Sequence, residues 1–497
     1  MIDNLILGFG VALSLKNVAF AFLGCMIGTA IGVLPGIGPV ATISLLLPLT
    51  FGVDPVTAII MLAGIYYGAQ YGGSTTAILL NLPGEVSSVV TTLEGYKMAR
   101  RGRAGAALTI AALGSFFAGS VSTLVVAASG PLLTSVALSF GPADYFSLML
   151  LGLIISAVLA QGSVLKSVAM VVLGVALGLV GTDVQTGQQR FTFGIPELSD
   201  GIEFVALAMG IFGIAEIILN LEKPENRDVS VAKVTSLWLT REEARRATPS
   251  VLRGTLVGSV LGILPGGGAA LSAFGSYMME RRLSKYGHEF GTGAIEGVAG
   301  PESANNAASQ TSFIPLLTLG IPSNAVMALM VGALIIQGIQ PGPRMVEAQP
   351  ELFWGLIASM WIGNLMLLII NLPLIGMWVA LLKVPYRFLY PAILIFCAIG
   401  VYSINNSAFD VYETVVFGFF GYLLAKLRFE PAPLLIGFVL GPMMEEHLRR
   451  AMLLSRGDPI VFFDRPISAT LLAISALALG AMLLPTLRKR KDEALAE

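Results

Sequence analysis

Residues 24–38 read Gly24-Cys-Met-Ile-Gly28-Thr-Ala-Ile-Gly32-Val-Leu-Pro-Gly-Ile-Gly38, and residues 254–268 read Gly254-Thr-Leu-Val-Gly258-Ser-Val-Leu-Gly262-Ile-Leu-Pro-Gly-Gly-Gly268. Seven of the fifteen positions are identical at a constant offset of 230, with no gap. Glycine at its usual frequency of about 7% would give about one such match. The chain therefore carries a duplication. In each copy Leu-Pro-Gly interrupts a helix: proline lacks an N–H and clashes with a preceding carbonyl, and the glycines strip the backbone of side-chain cover and admit left-handed conformations. Paired breaks at matching places in two halves of a membrane chain point to the binding site of a secondary transporter.

The 497 residues are 55% hydrophobic and only 12% charged, with a mean hydropathy of +0.81. A soluble domain carries about 25% charge, so most of this chain belongs in lipid. A span needs about 20 apolar residues. That ruler predicts roughly ten to twelve spans, at 17–34, 56–82, 104–130, 143–160, 164–181, 203–221, 324–340, 353–382, 388–403, 409–425 and 467–485, with 353–382 long enough for two. The opening Met-Ile-Asp-Asn lacks the basic region of a cleaved signal peptide, so the first span is expected to be retained. Cys25 and Cys397 are isolated and His288 and His447 are far apart, a spacing that offers no transition-metal site. The net charge of −1 gives no indication of a nucleic-acid partner.

One long polar segment, 222–253, lies just before the second copy and divides the chain into a first half (1–221), a linker and a second half (254–497). It holds seven Lys or Arg. Cytoplasmic loops accumulate these residues, which places the linker in the cytoplasm with the loop 97–103 and the tail Arg488–Lys491. The charges are also distributed oppositely in the two copies. In the first, the early loop Gly52–Pro55 has no cation and the later loop carries Lys97, Arg100, Arg101 and Arg103. In the second, the early loop carries Arg281, Arg282 and Lys285, and the later loop 338–352 has only Arg344. This predicts two repeats of inverted topology.

Unpaired backbone groups at bilayer depth cost several kcal/mol unless they face protein or a wet cavity. A helix restarting after each break would aim its N–H groups, and about half a positive charge, at such a cavity. The three glycines before each break form overlapping GxxxG steps and read as a helix-packing seam. A second break follows in each copy. Gln70-Tyr-Gly-Gly-Ser-Thr-Thr-Ala-Ile-Leu-Leu-Asn-Leu-Pro-Gly-Glu85 corresponds to Asn305-Asn-Ala-Ala-Ser-Gln-Thr-Ser-Phe-Ile-Pro-Leu-Leu-Thr-Leu-Gly-Ile-Pro-Ser-Asn324. Their hydroxyl and amide oxygens suit Na⁺ and also hydrogen-bond carboxylates. Acids within the membrane are costly; Glu302, beside the polar cluster, is the candidate coupling acid, and Glu85 and Glu216 are also intramembrane. No Gly-Lys dipeptide occurs, which excludes a P-loop ATPase in this chain. The two histidines offer no nucleophile–base pair for an intramembrane hydrolase.

The duplicated Gly-x-Leu-Pro-Gly-x-Gly elements, Tyr71-Gly-Gly-Ser-Thr-Thr-Ala-Ile-Leu79 and Gly300-Pro-Glu-Ser-Ala-Asn-Asn-Ala-Ala308 resemble the large membrane subunit of the tripartite tricarboxylate transporters over nearly the whole chain. That resemblance implies cation-driven uptake of citrate-like or other carboxylates in a bacterial inner membrane. It also implies a small membrane subunit and a periplasmic solute-binding protein as partners. The residues that carry over are Pro35, Gly36, Gly38, Ser74, Thr75, Asn81, Pro265, Gly266, Gly268, Asn305, Asn306, Ser309 and Asn324.

The expected protein is thus an all-α polytopic carrier with broken helices and no cofactor other than Na⁺ or H⁺ as coupling ion. The expected substrate site comprises Pro35, Gly36, Gly38, Pro265, Gly266, Gly267 and Gly268 at the first breaks, with Ser74, Thr75, Asn305, Ser323 and Asn324. Asn81, Asn306, Ser309 and Thr311 are expected to hold the cation, with Glu302 coupling. The competing reading is a passive anion channel, which predicts a continuous pore and conduction indifferent to counter-ions.

Overall fold

The computed structural model describes residues 2–34, 38–160, 163–183, 185–222, 234, 236–264, 268–381 and 386–483. Within them the chain is helical apart from turns and one short hairpin, Gly181–Thr182 against Gln189–Arg190. Six helical stretches are long and apolar enough to cross a membrane: Leu15–Val33, Val86–Ala137, Pro142–Leu159, Phe204–Leu221, Pro350–Asn371 and Ala408–Lys426. Six shorter apolar helices accompany them among the described residues. The chain is an all-α multi-pass membrane protein. Runs that composition alone reads as spans, such as 164–181 and 324–340, fold as Val164–Gly178 and Ala325–Ile336. At 1.5 Å per residue these are too short for a hydrocarbon core of about 30 Å.

Eleven helices position the site. In the first copy they are α1 (Leu15–Val33), α2 (Pro39–Leu46), α3 (Pro55–Leu80), α4 (Val89–Met98) and α5 (Ala104–Ala137). In the second they are α6 (Arg241–Leu261), α7 (Gly268–Leu283), α8 (Glu296–Thr311), α9 (Phe313–Leu319), α10 (Ala325–Ile336) and α11 (Pro350–Asn371). The chain stops one helix and starts another across each Leu-Pro-Gly. Pro35, Gly36, Pro265, Gly266 and Gly267, five of the expected substrate-binding positions, lie outside the described residues.

The glycine steps do what a small-residue seam does in a membrane, where close backbone approach replaces the hydrophobic drive. A Cβ at Gly24, Gly28 or Gly32 would strike the carbonyl oxygens of Met61, Ile65 and Ala69 on α3; one at Gly254 or Gly258 would strike those of Gly300 and Ala304 on α8, and one at Gly262 would meet Ala308. The same α1–α3 packing thus recurs as α6–α8. It makes Met61 and Gly300, Ile65 and Ala304, and Ala69 and Ala308 equivalent positions. Continuing that register pairs Tyr67 with Asn306 and Tyr71 with Gln310.

Helices α3 and α8 cross antiparallel. Ser74 bonds Glu302 at 2.6 Å, and the rings of Tyr67 and Phe313 lie 6.1 Å apart. The helix after each first break packs on the other copy, α2 against α10 and α7 against the turn Val86–Ser88 and α4. The loops sort accordingly. Gln337 donates to the carbonyl of Thr50 at 2.8 Å, joining the first copy's early loop to the second copy's late one. Lys97 reaches the carbonyl of Gly291, and Arg103 bonds Glu243 at 2.9 Å. These contacts gather the basic segments together.

The polar segment 222–253, read from sequence as a linker, is helical from Arg241. Thr240 and Glu243 form a capping box, each side chain satisfying the other's backbone N–H. The arginines then pair with acids of the second copy: Arg246 with Glu289 (2.7 Å) and Glu296 (2.9 Å), Arg253 with Glu280 (2.7 Å). Charge density alone does not separate a loop from a helix whose cations have partners elsewhere.

Candidate functional site

Each second break ends a helix in the left-handed region. Helix α3 stops at Asn81 (φ 58°) and α9 at Gly320 (φ 73°), the C-terminal geometry that Gly and Asn tolerate. A proline follows two residues on in both copies, at Pro83 and Pro322. Glu85 and Asn324 then hold corresponding positions. Glu85 heads the turn Val86–Ser88, where its N–H bonds Ser88 Oγ at 3.2 Å, and Asn324 caps α10 by accepting from the N–H of Met327 at 3.0 Å.

The antiparallel crossing of α3 and α8 brings these ends to one buried polar cluster. Glu302, 1% exposed, accepts from Ser74 at 2.6 Å and from Thr91 of α4. Glu85 accepts from Ser87 and, at 3.4 Å, from the amide of Asn305. Gln70 sits between them. With its amide turned to donate to Glu85 and Ser87 it accepts from Ser309 at 3.3 Å; the orientation follows from the network, since oxygen and nitrogen are not distinguished by position alone. Asn306 donates to Ser115 of α5 at 2.7 Å and to the carbonyl of Glu302 at 3.2 Å. Asn324 donates to Ser312 at 3.1 Å, and Ser323 donates to the Ser312 carbonyl at 3.3 Å. Among the described residues no Lys or Arg pairs with Glu85 or Glu302.

The restarted helix α7 begins beside Asn324. Gly38 is extended (φ −79°, ψ 176°), with Pro39 beginning α2, and its carbonyl accepts from the Thr42 hydroxyl at 2.9 Å. Gly268 is left-handed (φ 50°) and begins α7; a Cβ there would lie 3.7 Å from that of Asn324. The second copy's two breaks therefore touch. In the first copy, a Cβ at Gly84 would meet the carbonyl of Gly32, which closes its two breaks in the same way.

The structure brings together Ser74, Glu302, Asn305, Asn306 and Ser309, and places Gly268, Ser323 and Asn324 beside one another at the second copy's breaks. Thr75 donates to the Tyr71 carbonyl at 3.3 Å and lines the adjoining cleft. Two expected cation ligands go elsewhere. Asn81 is exposed and serves as the left-handed end of α3, a position its short polar side chain favours. Thr311 faces α6, its hydroxyl donating to the Ala307 carbonyl at 3.1 Å, in the path a Cβ of Gly262 would take. Glu216 accepts from Asn220 at 3.1 Å within its own helix. Sequence reasoning missed Thr91 and Ser115. Both are ordinary polar residues on helices outside the repeated motifs, and only the fold turns them toward Glu302 and Asn306. Gln70 and Ser87 lie in or beside the quoted second break and were legible there.

A cleft between α3, α5, α8 and the end of α11 adjoins the cluster, lined by Tyr71, Ser74, Ser115, Glu302 and Asn371 among others. Its free volume for a water-sized sphere is about 10 Å³, room for roughly one water or ion and far too little for a tricarboxylate.

The sequence profile of the Tripartite tricarboxylate transporter TctA family matches residues 18–436. Two proteins of Agrobacterium vitis are similar to the chain. One, an "uncharacterized 52.8 kDa protein in TAR-I ttuC' 3'region", is 61% identical over all of this chain and 99% of its own length. The other, an "uncharacterized protein in TAR-II ttuC' 3'region", is 63% identical over 48% of this chain and 99% of its own length. No solved structure matches.

Proposed function

The chain belongs to the tripartite tricarboxylate transporter TctA family, and on that premise we propose that it is the cation-coupled permease of a carboxylate uptake system. The observation that carries this reading is the polar cluster around half-buried Glu85 and buried Glu302, which has no basic partner among the described residues. A multiply charged acid cannot share a low-dielectric site with two carboxylates unless cations or protons enter with it, because unpaired buried charge is expensive. The obligation to bring compensating charge is the coupling. A fixed arginine would neutralise the substrate too, but would hold it against release.

In this reading the N-terminal N–H groups of α2 and α7, beginning at Gly38 and Gly268, hold substrate carboxylates, and Ser74, Asn305, Ser323 and Asn324 orient them. Ser309, Asn306 and Glu302 serve the coupling ion, Na⁺ or H⁺. The pairing of Thr50 with Gln337 and of Lys97 with Gly291, each joining one copy's early loop to the other copy's late loop, supports inverted repeats. The basic end faces the cytoplasm of a bacterial inner membrane. A periplasmic solute-binding protein delivers substrate at the other end, and a small membrane subunit completes the assembly.

The narrow cleft and the charge balance favour a coupled carrier over a passive anion channel. The test is carboxylate uptake into proteoliposomes holding the assembled transporter, with and without the binding protein, under separately imposed Na⁺ and pH gradients. Uptake that rises only with one gradient is expected. Uptake indifferent to both would return the channel.

A further inference from the structure

Beyond the Glu85–Glu302 cluster, a second group of buried polar atoms lies between α3, α5, α8 and α11. Tyr67 and Tyr71 of α3, Asn306 and Gln310 of α8, and Asn364 and Asn371 of α11 are each no more than 4% exposed. The hydroxyls of both tyrosines, the side-chain oxygens of Asn306 and Asn371 and both amide atoms of Gln310 and Asn364 have no hydrogen-bond partner among the described residues. Unpartnered buried polar atoms are rare in folded proteins, and each carries a desolvation cost. Eight such atoms on six residues at one helix seam are not incidental.

On α3 and α8 the groups fall on two levels one helical turn apart, whereas Asn364 and Asn371 of α11 are seven residues, about two turns, apart. The antiparallel crossing set by Ser74–Glu302 and Tyr67–Phe313 puts Tyr71 opposite Asn306 and Tyr67 opposite Gln310. Asn306 bonds Ser115, and Asn371 lines the same cleft as Tyr71 and Ser115. One turn on, Asn364 lies 2.6 Å from where a Cβ of Gly119 would stand, so only glycine on α5 leaves room for it, and the adjacent Gly363 borders Tyr67. These are also the positions that the repeated packing makes equivalent, Tyr67 with Asn306 and Tyr71 with Gln310. The duplication thus supplies matching polar groups to a seam that both copies share.

The chemistry is that of oxygen donors. In Asn306 and Asn371 the NH₂ is tied down, to Ser115 at 2.7 Å and to the Leu367 carbonyl at 2.9 Å, and the oxygen is left over. The oxygens left over are those of Tyr67, Gln310 and Asn364 toward one end of the seam and those of Tyr71, Asn306 and Asn371 toward the other. No basic side chain pairs into the seam among the described residues, and the Glu302 carboxylate borders its lower level. Neutral oxygens replacing a hydration shell beside one buried carboxylate suit a small monovalent cation. The leftover oxygens of Asn306 and Asn371 can only accept, which disfavours an anion beside them.

We propose that the seam between α3, α5, α8 and α11 is the Na⁺ site of the transporter, with the oxygens of Asn364, Gln310, Tyr67, Tyr71 and Asn306 as its ligands. This rests on the coupled-permease reading and gives its coupling ion a place one helix face away from the substrate cluster. Loading the seam screens Glu302, and that lowers the cost of admitting an anionic substrate next to it.

The purified full-length chain in lipid nanodiscs tests this directly. Its Tm is followed as NaCl replaces choline chloride at constant ionic strength, with KCl in parallel. A ligand that binds only the folded state raises Tm saturably. The wild type is expected to respond to Na⁺ and not to K⁺. Asn364→Ala, Gln310→Ala and Tyr71→Phe are expected to raise the half-saturating Na⁺ concentration by about tenfold or more. Asn364→Asp, which keeps an oxygen and adds charge, is expected to hold or lower it. An unchanged half-saturation in both alanine variants, or a wild type indifferent to Na⁺, overturns the site and assigns the seam to buried water. Uptake separates this from the wider reading. Na⁺-driven uptake that the alanine variants leave unaltered, or uptake driven by protons alone, overturns the seam as the Na⁺ site and leaves the permease standing. Uptake indifferent to both gradients overturns the permease as well.

Discussion

In the proposed function, charge balance turns on Glu302. It is buried on α8, and the hydroxyls of Ser74 and Thr91 donate to it. Glu302→Gln keeps the shape and removes the charge, so carboxylate uptake should lose its dependence on the driving gradient and fall by about tenfold or more, a loss of at least about 1.4 kcal/mol of transition-state or binding free energy. Gradient-dependent uptake at the wild-type level in this variant would remove Glu302 from the coupling. Asn324 acts at two levels, capping α10 and holding Ser312. Asn324→Ala should cost about 1 kcal/mol of stability through the lost cap and weaken substrate binding as well. Asn324→Ser should recover the stability but not the binding. Thermal unfolding and uptake on the same preparations separate the two.

At the scale of elements, the glycine seams and the left-handed helix ends decide whether the breaks meet. Gly28→Val and Gly258→Val would drive a side chain into the Ile65 and Ala304 carbonyls. Both should lower the yield of folded protein, seen by size-exclusion chromatography and Tm, whereas substitution at Gly10, with open space around it, should not. Gly320→Ala must hold a Cβ at φ 73° and 2.7 Å from the Pro341 carbonyl; about 1–2 kcal/mol is expected from the conformation alone. Outside the spans, the short hairpin is fastened to the helix Ala432–Leu454 through Asp183 and Arg449, 2.8 Å apart. The backbone N–H of Gln185, with Arg449, holds the Asp183 carboxyl down to about 2, below its ordinary value. A carboxyl depressed in the folded state contributes stability above its unfolded pKa and loses it as pH falls through the folded one. The Tm penalty of Asp183→Asn should therefore be full near neutral pH and fade as pH drops toward 2. A penalty independent of pH would assign the contact to packing.

At the scale of the whole molecule, the two copies meet at one buried polar cluster, and each copy's restarted helix packs on the other. If the repeats are inverted, Phe51→Cys and Leu283→Cys, both at exposed positions in the two early loops, should be labelled by a membrane-impermeant maleimide from opposite faces of the membrane. Labelling from one face only would exclude the inversion. Cys25 and Cys397 are buried and should stay silent. The sequence by itself determined the membrane class, the duplication, the breaks and the glycine seams, because each is written in local composition and in residues with distinctive backbone physics. It also singled out Ser74, Glu302, Asn305 and Asn306, which the structure brings to one polar cluster, since polar residues in apolar runs stand out on cost alone. It misplaced Asn81 and Thr311, whose side chains are polar but turn toward solvent and toward α6. It could not find Thr91, Ser115 or Asn364. Those are joined to the site by an antiparallel crossing of helices more than 200 residues apart in the chain, and only the tertiary structure decides which face of each helix that crossing buries.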